Sequence, residues 1–171
     1  LTEKDEEAKG FFCVTTSYRN EPKPVKGRHD LVFPMFEFEI RGDYNALVNF
    51  CEGLLGHLGY DQSKFCYGDY VDVAKKLNTF EIEHEHEQML NDKFGSVFFL
   101  QHFPSYTDPF WNMKKHRHGN LAYKLDVIVN GMETIGSAER SCDVKQMKHD
   151  FETISNGMYA KTLYNKIDKE S

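Results

Sequence analysis

The sequence predicts an α+β fold in which an antiparallel or mixed sheet is flanked by helices, and three observations predict it. Two apolar segments, residues 11–18 and 33–40, are rich in Phe, Val, Thr and Tyr and flank a basic connection containing Pro and Gly, as in a β-hairpin. Residues 95–102 form a continuous apolar run that suits a central strand. Residues 43–58 carry apolar side chains at helical spacing. With 171 residues the chain can bury a real core, so we expect a single domain over residues 1–171.

The second strand of the hairpin shows the clearest strand pattern. Phe36, Phe38 and Ile40 alternate with Glu37 and Glu39. Because successive side chains of a strand point to opposite faces, the apolar residues share one face and the acids share the other.

The elements after the hairpin follow from spacing and from turn residues. The helix over residues 43–58 has Asp43 as its N-cap and Gly59 as its stop. Residues 60–69 are predicted to be a polar connection. Further helices are predicted over residues 71–77, 83–92, 143–154 and 158–167, and further strands over residues 121–130 and 132–136. The last two helices are separated by an Asn-Gly break, where Ser155 is a candidate cap.

Composition excludes several classes of protein. Aromatic residues make up 14% of the chain, which disfavours disorder. No apolar run approaches the roughly 18 residues of a membrane span, and residues 1–10 lack the apolar stretch of a signal peptide. We therefore expect a cytoplasmic protein that does not enter the membrane, with reduced cysteines. The net charge of −6 disfavours a broad nucleic-acid surface.

The hairpin connection is the first candidate site. It contains Arg19, Lys23, Lys26, Arg28 and His29. Guanidinium groups fit phosphate oxygens in pairs, so the connection is a plausible anion cradle. A solvated basic turn is the alternative, and taken alone the pattern favours it.

The second candidate site is an acidic pair in the later strands. Gly131 turns the chain between two strands, so Asp126 and Glu133 can meet at neighbouring strand positions. Two close carboxylates repel unless a cation is present, and Mg²⁺ held with nucleotide phosphates is the natural occupant. The alternative is that either acid pairs with Lys124 or another basic residue. The residues alone favour neither interpretation.

The acidic helix carries His84 and His86 two residues apart, which on a helix places them on different faces. Zinc binding is conceivable, but the H-E-x-x-H spacing is absent. A solvated helix face is the favoured interpretation.

Motifs at both candidate sites resemble those of a known family. The hairpin carries YRNE at residues 18–21 and RHDLVF at residues 28–33, which resemble motif 2 of the class II aminoacyl-tRNA synthetases. Residues 126–140 read DVIVNGMETIGSAER and resemble the D-x5-G-x-E…R block of the aspartyl and asparaginyl branch. The segment EIEHEHE at residues 81–87 is similar to D-L-x-T-E-H-E of the same branch, and FFLQHFPSYTDPFWNMK is similar to its V-F-L-x-x-Y-P-x-x-x-x-P-F-Y-M segment.

The resemblance implies an incomplete class II synthetase-like catalytic core that uses ATP and Mg²⁺. Arg19 would bind the α-phosphate of ATP, and Phe33 would stack on the adenine. Glu21 would accept a hydrogen bond from the adenine amino group. Arg28 and His29 would bind the β- and γ-phosphates.

The same resemblance assigns the metal and the amino-acid substrate. Asp126 and Glu133 would bind Mg²⁺. Arg140 would read the side chain of the amino acid, Glu81 would lie near its amino group, and Phe110 would line the wall of its pocket. A packed loop around Phe110 is the structural alternative.

The implied reaction is attack of an amino-acid carboxylate on the α-phosphorus of ATP, with pyrophosphate leaving. This step brings two anions together, and fixed cations offset their repulsion. We therefore assign Arg19 and Arg140 as catalytic residues. The site requires the basic turn near Arg28 to face Asp126 and Glu133 across a bound nucleotide.

Departures from the family pattern keep three functions open. Glu81 replaces the family's Asp, Val32 replaces the Glu before the stacking Phe, and motifs 1 and 3 do not occur in residues 1–171. We expect either part of a longer protein or a chain that has lost the chemistry. The candidates are a synthetase that charges tRNA with asparagine or aspartate, a paralogue that makes asparagine from aspartate and ammonia, and an inactive binding module. A homodimer is expected for the full-length protein.

Overall fold

A two-stranded hairpin and a four-stranded sheet contain all the strands in the described part of the chain. The computed structural model describes residues 7–20, 22–24, 27, 30–116 and 120–167. The chain divides into two compact units, residues 1–49 and residues 50–171. The hairpin belongs to the first unit and the sheet to the second.

The hairpin strands β1 (Gly10–Tyr18) and β2 (Val32–Ile40) pair antiparallel in an unbroken register. The predicted alternation is confirmed in β2, where the Phe36 and Phe38 ring centroids are 6.2 Å apart. Phe12 of β1 lies 5.7 Å from Phe36. One face of the hairpin therefore carries an aromatic ladder, as cross-strand neighbours of a strand pair require.

The sheet of the second unit contains β3 (Cys66–Asp69), β4 (Val97–Pro104), β5 (Leu121–Val129) and β6 (Met132–Ala138), in that order. Strand β3 runs parallel to β4, and the other neighbours are antiparallel. The mixed sheet agrees with the predicted fold class. The prediction of a polar connection over residues 60–69 was wrong for β3. This strand has four residues, and its partner lies about 30 positions further along the chain.

Five α-helices occur in the described residues: α1 (Tyr44–His57), α2 (Tyr70–Leu77), α3 (His84–Phe94), α4 (Val144–Thr153) and α5 (Met158–Tyr164). Each was predicted to within a few residues. At the start of α1, the Asp43 Oδ1 atom accepts a hydrogen bond from the backbone N–H of Ala46 at 3.0 Å, which confirms the predicted N-cap. None of the helices described is long and apolar enough to cross a membrane.

Helices α2 and α3 pack against one face of the four-stranded sheet. Tyr70 and Leu77 of α2 and Leu90 of α3 are buried there against Phe98 and Leu100 of β4. Leu100 lies directly opposite Asp126 of β5 in the strand register, so Asp126 shares this face. The apolar core therefore borders the first carboxylate of the predicted metal pair.

The break between α4 and α5 is held by a loop that precedes β5. The Asp108 Oδ2 atom accepts hydrogen bonds from both the backbone N–H and the Oγ of Ser155, each at 2.9 Å. Ser155 and Asn156 both have positive φ, and Gly157 occupies the N-cap position of α5. The prediction that Ser155 caps α5 was wrong, because its hydroxyl is bound to Asp108 instead.

Candidate active site

The two acids predicted to bind magnesium meet on one face of the sheet. In the register of β5 and β6, Asp126 lies opposite Gly136. A Cβ atom placed on Gly136 would lie 2.8 Å from Glu133 Oε1 and 3.8 Å from Asp126 Oδ1. The missing side chain at Gly136 therefore leaves a space that both carboxylates border.

The register next to the turn places Glu133 on the face of Asp126, and a β-bulge brings Gly136 to the same face. Val127 pairs with Ile135, but the next residue, Ile128, pairs with Glu133. The extra residue reverses the alternation of β6, because two residues there face one on β5. Glu133 lies opposite Ile128, whose side chain shares a face with that of Asp126 two positions away. Gly136 lies opposite Asp126 itself, although it is three residues after Glu133.

Asp126 is the only buried charged residue among those described, with 4% of its surface exposed. Its Oδ2 atom accepts a hydrogen bond from Lys124 Nζ at 2.5 Å. Its Oδ1 atom is buried and has no hydrogen-bond partner. Burial raises the pKa of Asp126 to about 7, with the nearby Glu133 and Glu87 adding to the rise and Lys124 opposing it.

These residues fit a magnesium ion. A buried carboxylate oxygen without a partner is costly, and a cation between Asp126 and Glu133 would satisfy it. No group of three or more His, Cys, Asp or Glu side chains in the described residues could hold a metal unaided. Mg²⁺ is commonly bound by one or two carboxylates together with substrate phosphates. Lys124, the alternative partner considered for these acids, occupies one oxygen of Asp126 and leaves the other facing this space.

We expect alanine at Gly136 to weaken metal binding without unfolding the protein. The new Cβ would displace the Glu133 carboxylate, which is the mobile end of a flexible side chain. The Mg²⁺ concentration that gives half-maximal binding with an ATP analogue should rise about 10-fold. Calorimetric titration measures it. Gly53→Ala is the matched control, since no atom lies within 4 Å of a Cβ at that helical position.

The raised pKa of Asp126 predicts a pH-dependent stability of the metal-free protein. A folded-state pKa of about 7 lies above the ordinary value of 3.8 for this side chain, so the folded state binds the proton more tightly. Its stabilising contribution is complete below about pH 4 and is lost as the pH rises through 7. The Tm of Asp126→Asn minus that of wild type should therefore grow from pH 4 to pH 7. A constant difference would contradict the assigned pKa.

The predicted substrate residues Phe110 and Arg140 lie at one corner of the second unit. Arg140 Nη1 donates a hydrogen bond to Asn112 Oδ1 at 2.7 Å. The Phe110 ring centroid lies 5.6 Å from that of Trp111 and 5.5 Å from that of Tyr159. The loop that carries Phe110 therefore also fixes the guanidinium of Arg140. Phe110 remains 38% exposed, so part of its ring is accessible from solvent.

The segment that carries Glu81 leads into helix α3. Glu81 is exposed and borders an open depression of about 390 Å³. His86 Nδ1 accepts a hydrogen bond from the backbone N–H of Glu83 at 3.0 Å. This ring nitrogen therefore serves as a helix cap, while His84 is exposed at the first position of the helix.

In the first unit, the hairpin places two of the predicted nucleotide-binding residues together. The Arg19 guanidinium carbon lies 5.4 Å from the centroid of the Phe33 ring, within the range of a cation–π contact. The backbone N–H of Arg19 donates to the Leu31 carbonyl at 2.8 Å, which extends the ladder beyond β1. Glu21, Arg28 and His29 are outside the described residues, and their roles stay predictions. The predicted apposition of the basic turn and the acidic pair also stays a prediction.

Sequence reasoning missed two features of the acidic pair. Gly136 had a usable signal, because an isolated Gly within a strand often marks a close approach of other atoms. Glu87, whose Oε2 atom accepts a hydrogen bond from the backbone N–H of Glu133, had none. It lies 46 residues away along the chain and occurs within a run of acids that predicts a solvated helix face.

Comparison with known proteins identifies the family. The model of the class II tRNA synthetases of the D, K and N group matches residues 8–168. The chain belongs to this family. The class II synthetase chain is 29% identical over 102 residues to an Arabidopsis thaliana protein named aspartate–tRNA ligase 1, cytoplasmic. That match covers 59% of the chain and 19% of the relative.

Solved structures show the same fold. The class II synthetase chain matches an Entamoeba histolytica asparaginyl-tRNA synthetase in complex with asparaginyl-adenylate, with a TM-score of 0.76 and 22% identity. It matches a Pyrococcus horikoshii asparaginyl-tRNA synthetase, also complexed with asparaginyl-adenylate, with a TM-score of 0.74 and 17% identity. Each match covers 94% of the chain and 45% of the solved protein. The chain thus spans less than half the length of these relatives.

Proposed function

We propose that the protein activates asparagine or aspartate with ATP, forming an aminoacyl-adenylate and releasing pyrophosphate, and then charges tRNA. The observation that carries this proposal is the acidic pair, in which Asp126 Oδ1 lacks a partner and Glu133 borders the same space. Family membership supports the proposal. So does the presence of asparaginyl-adenylate in two of the similar solved structures.

In the proposed reaction, the carboxylate oxygen of the amino acid forms a bond to the α-phosphorus of ATP. The bond from that phosphorus to the bridging oxygen breaks, and pyrophosphate takes the electron pair. Magnesium, when bound, neutralises phosphate charge. Arg19 binds the α-phosphate and Phe33 stacks on the adenine, and their present contact places the guanidinium beside the ring. Asp126 and Glu133 hold the metal.

The remaining roles complete the nucleotide and amino-acid sites. Glu21 accepts from the adenine amino group, and Arg28 and His29 bind the β- and γ-phosphates. Arg140 reads the side chain of the amino acid, and its hydrogen bond to Asn112 supports this role by fixing the guanidinium. The further substrate contacts are Glu81 and Phe110. No side chain acts as a nucleophile, so the residues act by position and charge.

A second candidate is supported by one of two substitutions. Val32, at the start of β2, stands where the family has a Glu, and it cannot accept a hydrogen bond from an adenylate or a tRNA end. Glu81 stands where the family has Asp, and its extra methylene moves the carboxylate by an amount that matters for orientation. The change at Val32 favours a paralogue that activates aspartate and transfers the acyl group to ammonia, which yields asparagine without tRNA, and the change at Glu81 bears on which amino acid is bound.

Exchange of labelled pyrophosphate into ATP, dependent on a single added amino acid, tests activation. Exchange that depends on either amino acid in the full-length protein, followed by formation of aminoacyl-tRNA when tRNA is added, supports the tRNA enzyme. Aspartate-dependent exchange followed by asparagine formation with ammonia supports the second candidate. Absence of exchange with both amino acids would contradict both and leave a binding module. We place the protein in the cytoplasm as a homodimer, which fractionation and light scattering test.

A further inference from the structure

Helix α3 is fixed to the turn and strand that carry Glu133. Glu87, a half-buried residue of α3, accepts a hydrogen bond through Oε2 from the backbone N–H of Glu133 at 2.9 Å. The next residue, Gln88, packs directly on Gly131 in the turn between β5 and β6. A Cβ at Gly131 would lie 2.5 Å from Gln88 Oε1 and 3.2 Å from Gln88 Cα. The helix and the turn are therefore in close contact at two successive residues.

The hydrogen bond reaches the residue that directly precedes the bulge of β6. Glu133 pairs with Ile128 on the face of Asp126, and the extra residue of the bulge, Thr134, follows it. β6 is also the last strand of the four-stranded sheet, so only β5 supports it on the sheet side. A carboxylate that binds the backbone at this position fixes the local conformation in which the Glu133 side chain shares the space beside Gly136.

We propose that Glu87 is a positioning residue for the metal pair: it fixes the backbone of Glu133 so that the two carboxylates face one cation. The proposal rests on the proposed function of Asp126 and Glu133. Glu87 acts through the backbone, because its Oε2 atom accepts a hydrogen bond from the backbone N–H of Glu133. The same contact connects the metal pair to α3, whose preceding segment carries Glu81.

A positioning role and a purely structural role predict different results. Loss of a packing contact between α3 and β6 would lower the Tm and leave the metal affinity of the folded protein unchanged. Loss of a positioning contact lowers the metal affinity even where the protein stays folded. Partners that orient metal ligands typically change metal affinity or activity by 10- to 100-fold when they are removed.

The experiment measures Mg²⁺ binding to the full-length protein by calorimetry with a non-hydrolysable ATP analogue, together with the Mg²⁺ dependence of pyrophosphate exchange. Glu87→Ala should raise the half-saturating Mg²⁺ concentration by about 10-fold or more in both measurements. Glu87→Gln keeps an acceptor but loses the charge, so its effect should be smaller and its fold intact. Asp72→Ala and Asp72→Asn are the matched controls, since Asp72 is an exposed acid on the neighbouring helix α2.

The double variant Glu87→Ala, Glu133→Ala should bind Mg²⁺ no more weakly than Glu133→Ala alone, because Glu87 acts through Glu133. Equal Mg²⁺ affinity of the Glu87 and Asp72 variants, with normal wild-type binding, would overturn this inference and leave the proposed function standing. Glu87→Gln decides the matter if Glu87→Ala does not fold. A wild-type protein that binds the ATP analogue without Mg²⁺ dependence would instead remove the proposed metal function, and this inference with it.

Discussion

Replacing Arg19 with alanine is expected to lower the rate of amino-acid-dependent pyrophosphate exchange by at least about 100-fold. The proposed reaction develops negative charge around the α-phosphorus, and a fixed guanidinium stabilises that charge more in the transition state than in the ground state. Truncation also removes the contact between the guanidinium and the Phe33 ring. Initial rates at saturating ATP and amino acid measure the effect.

Two further variants define the cause of that loss. Arg19→Lys keeps the positive charge but lacks the planar fork, so its rate should lie between those of wild type and Arg19→Ala. His84→Ala is the control, because His84 is exposed at the first position of α3, and its rate should stay near that of wild type. Equal losses for Arg19→Ala and His84→Ala would mean that the active site has been placed wrongly.

Replacing Asp126 with asparagine should have the second large effect. It should lower the activity without lowering the stability of the metal-free protein. The exchange rate at a fixed Mg²⁺ concentration should fall by about 100-fold or more, because a neutral amide is a poor ligand for a hard cation. The metal-free protein should be at least as stable as wild type at pH 8. Burial disfavours the charged form of Asp126, and asparagine keeps an acceptor for Lys124.

The opposite result would identify a structural ion pair. If Asp126→Asn keeps its exchange rate and its Mg²⁺ dependence but loses stability, then Lys124 and Asp126 hold β5 in place and bind no metal. Lys124→Met tests the same ion pair by removing its other partner. It should lower stability if the pair is structural, because it leaves the carboxylate of Asp126 buried without its partner.

The sequence was most informative where a local pattern determines the local structure. The alternation of Phe36, Glu37, Phe38 and Glu39 placed β2 correctly, because a period of two residues matches only a strand. The N-cap at Asp43 could also be predicted, since an aspartate immediately before a run of helical spacing satisfies free backbone N–H groups. Both predictions depend on residues within a few positions of each other.

Features that depend on distant residues could not be predicted in this way. Strand β3 is defined by its parallel pairing with β4, and its four residues show no alternation of apolar and polar side chains. The hydrogen bond from the backbone N–H of Glu133 to Glu87 joins residues that are 46 positions apart in the chain. Ser155 was predicted to cap helix α5, but its hydroxyl donates a hydrogen bond to the carboxylate of Asp108, 47 residues away in the chain.

The candidate site was predicted in part from geometry and in part from resemblance. The meeting of Asp126 and Glu133 follows from two strands joined by a tight turn, and the strand register agrees with it. The roles of Glu81, Phe110 and Arg140 came from the resemblance alone, because nothing in their local spacing specifies a ligand. Those three roles stay predictions.

The Asp108–Ser155 contact has a consequence for local opening of the chain. Three consecutive residues with positive φ are unfavourable in isolation, so the turn between α4 and α5 depends on the carboxylate that binds Ser155. The last two helices and the loop that carries Phe110 should therefore open as one cooperative segment. Hydrogen–deuterium exchange would show the Ser155 amide protected to the same degree as the interior of α4, although it lies in a short surface turn.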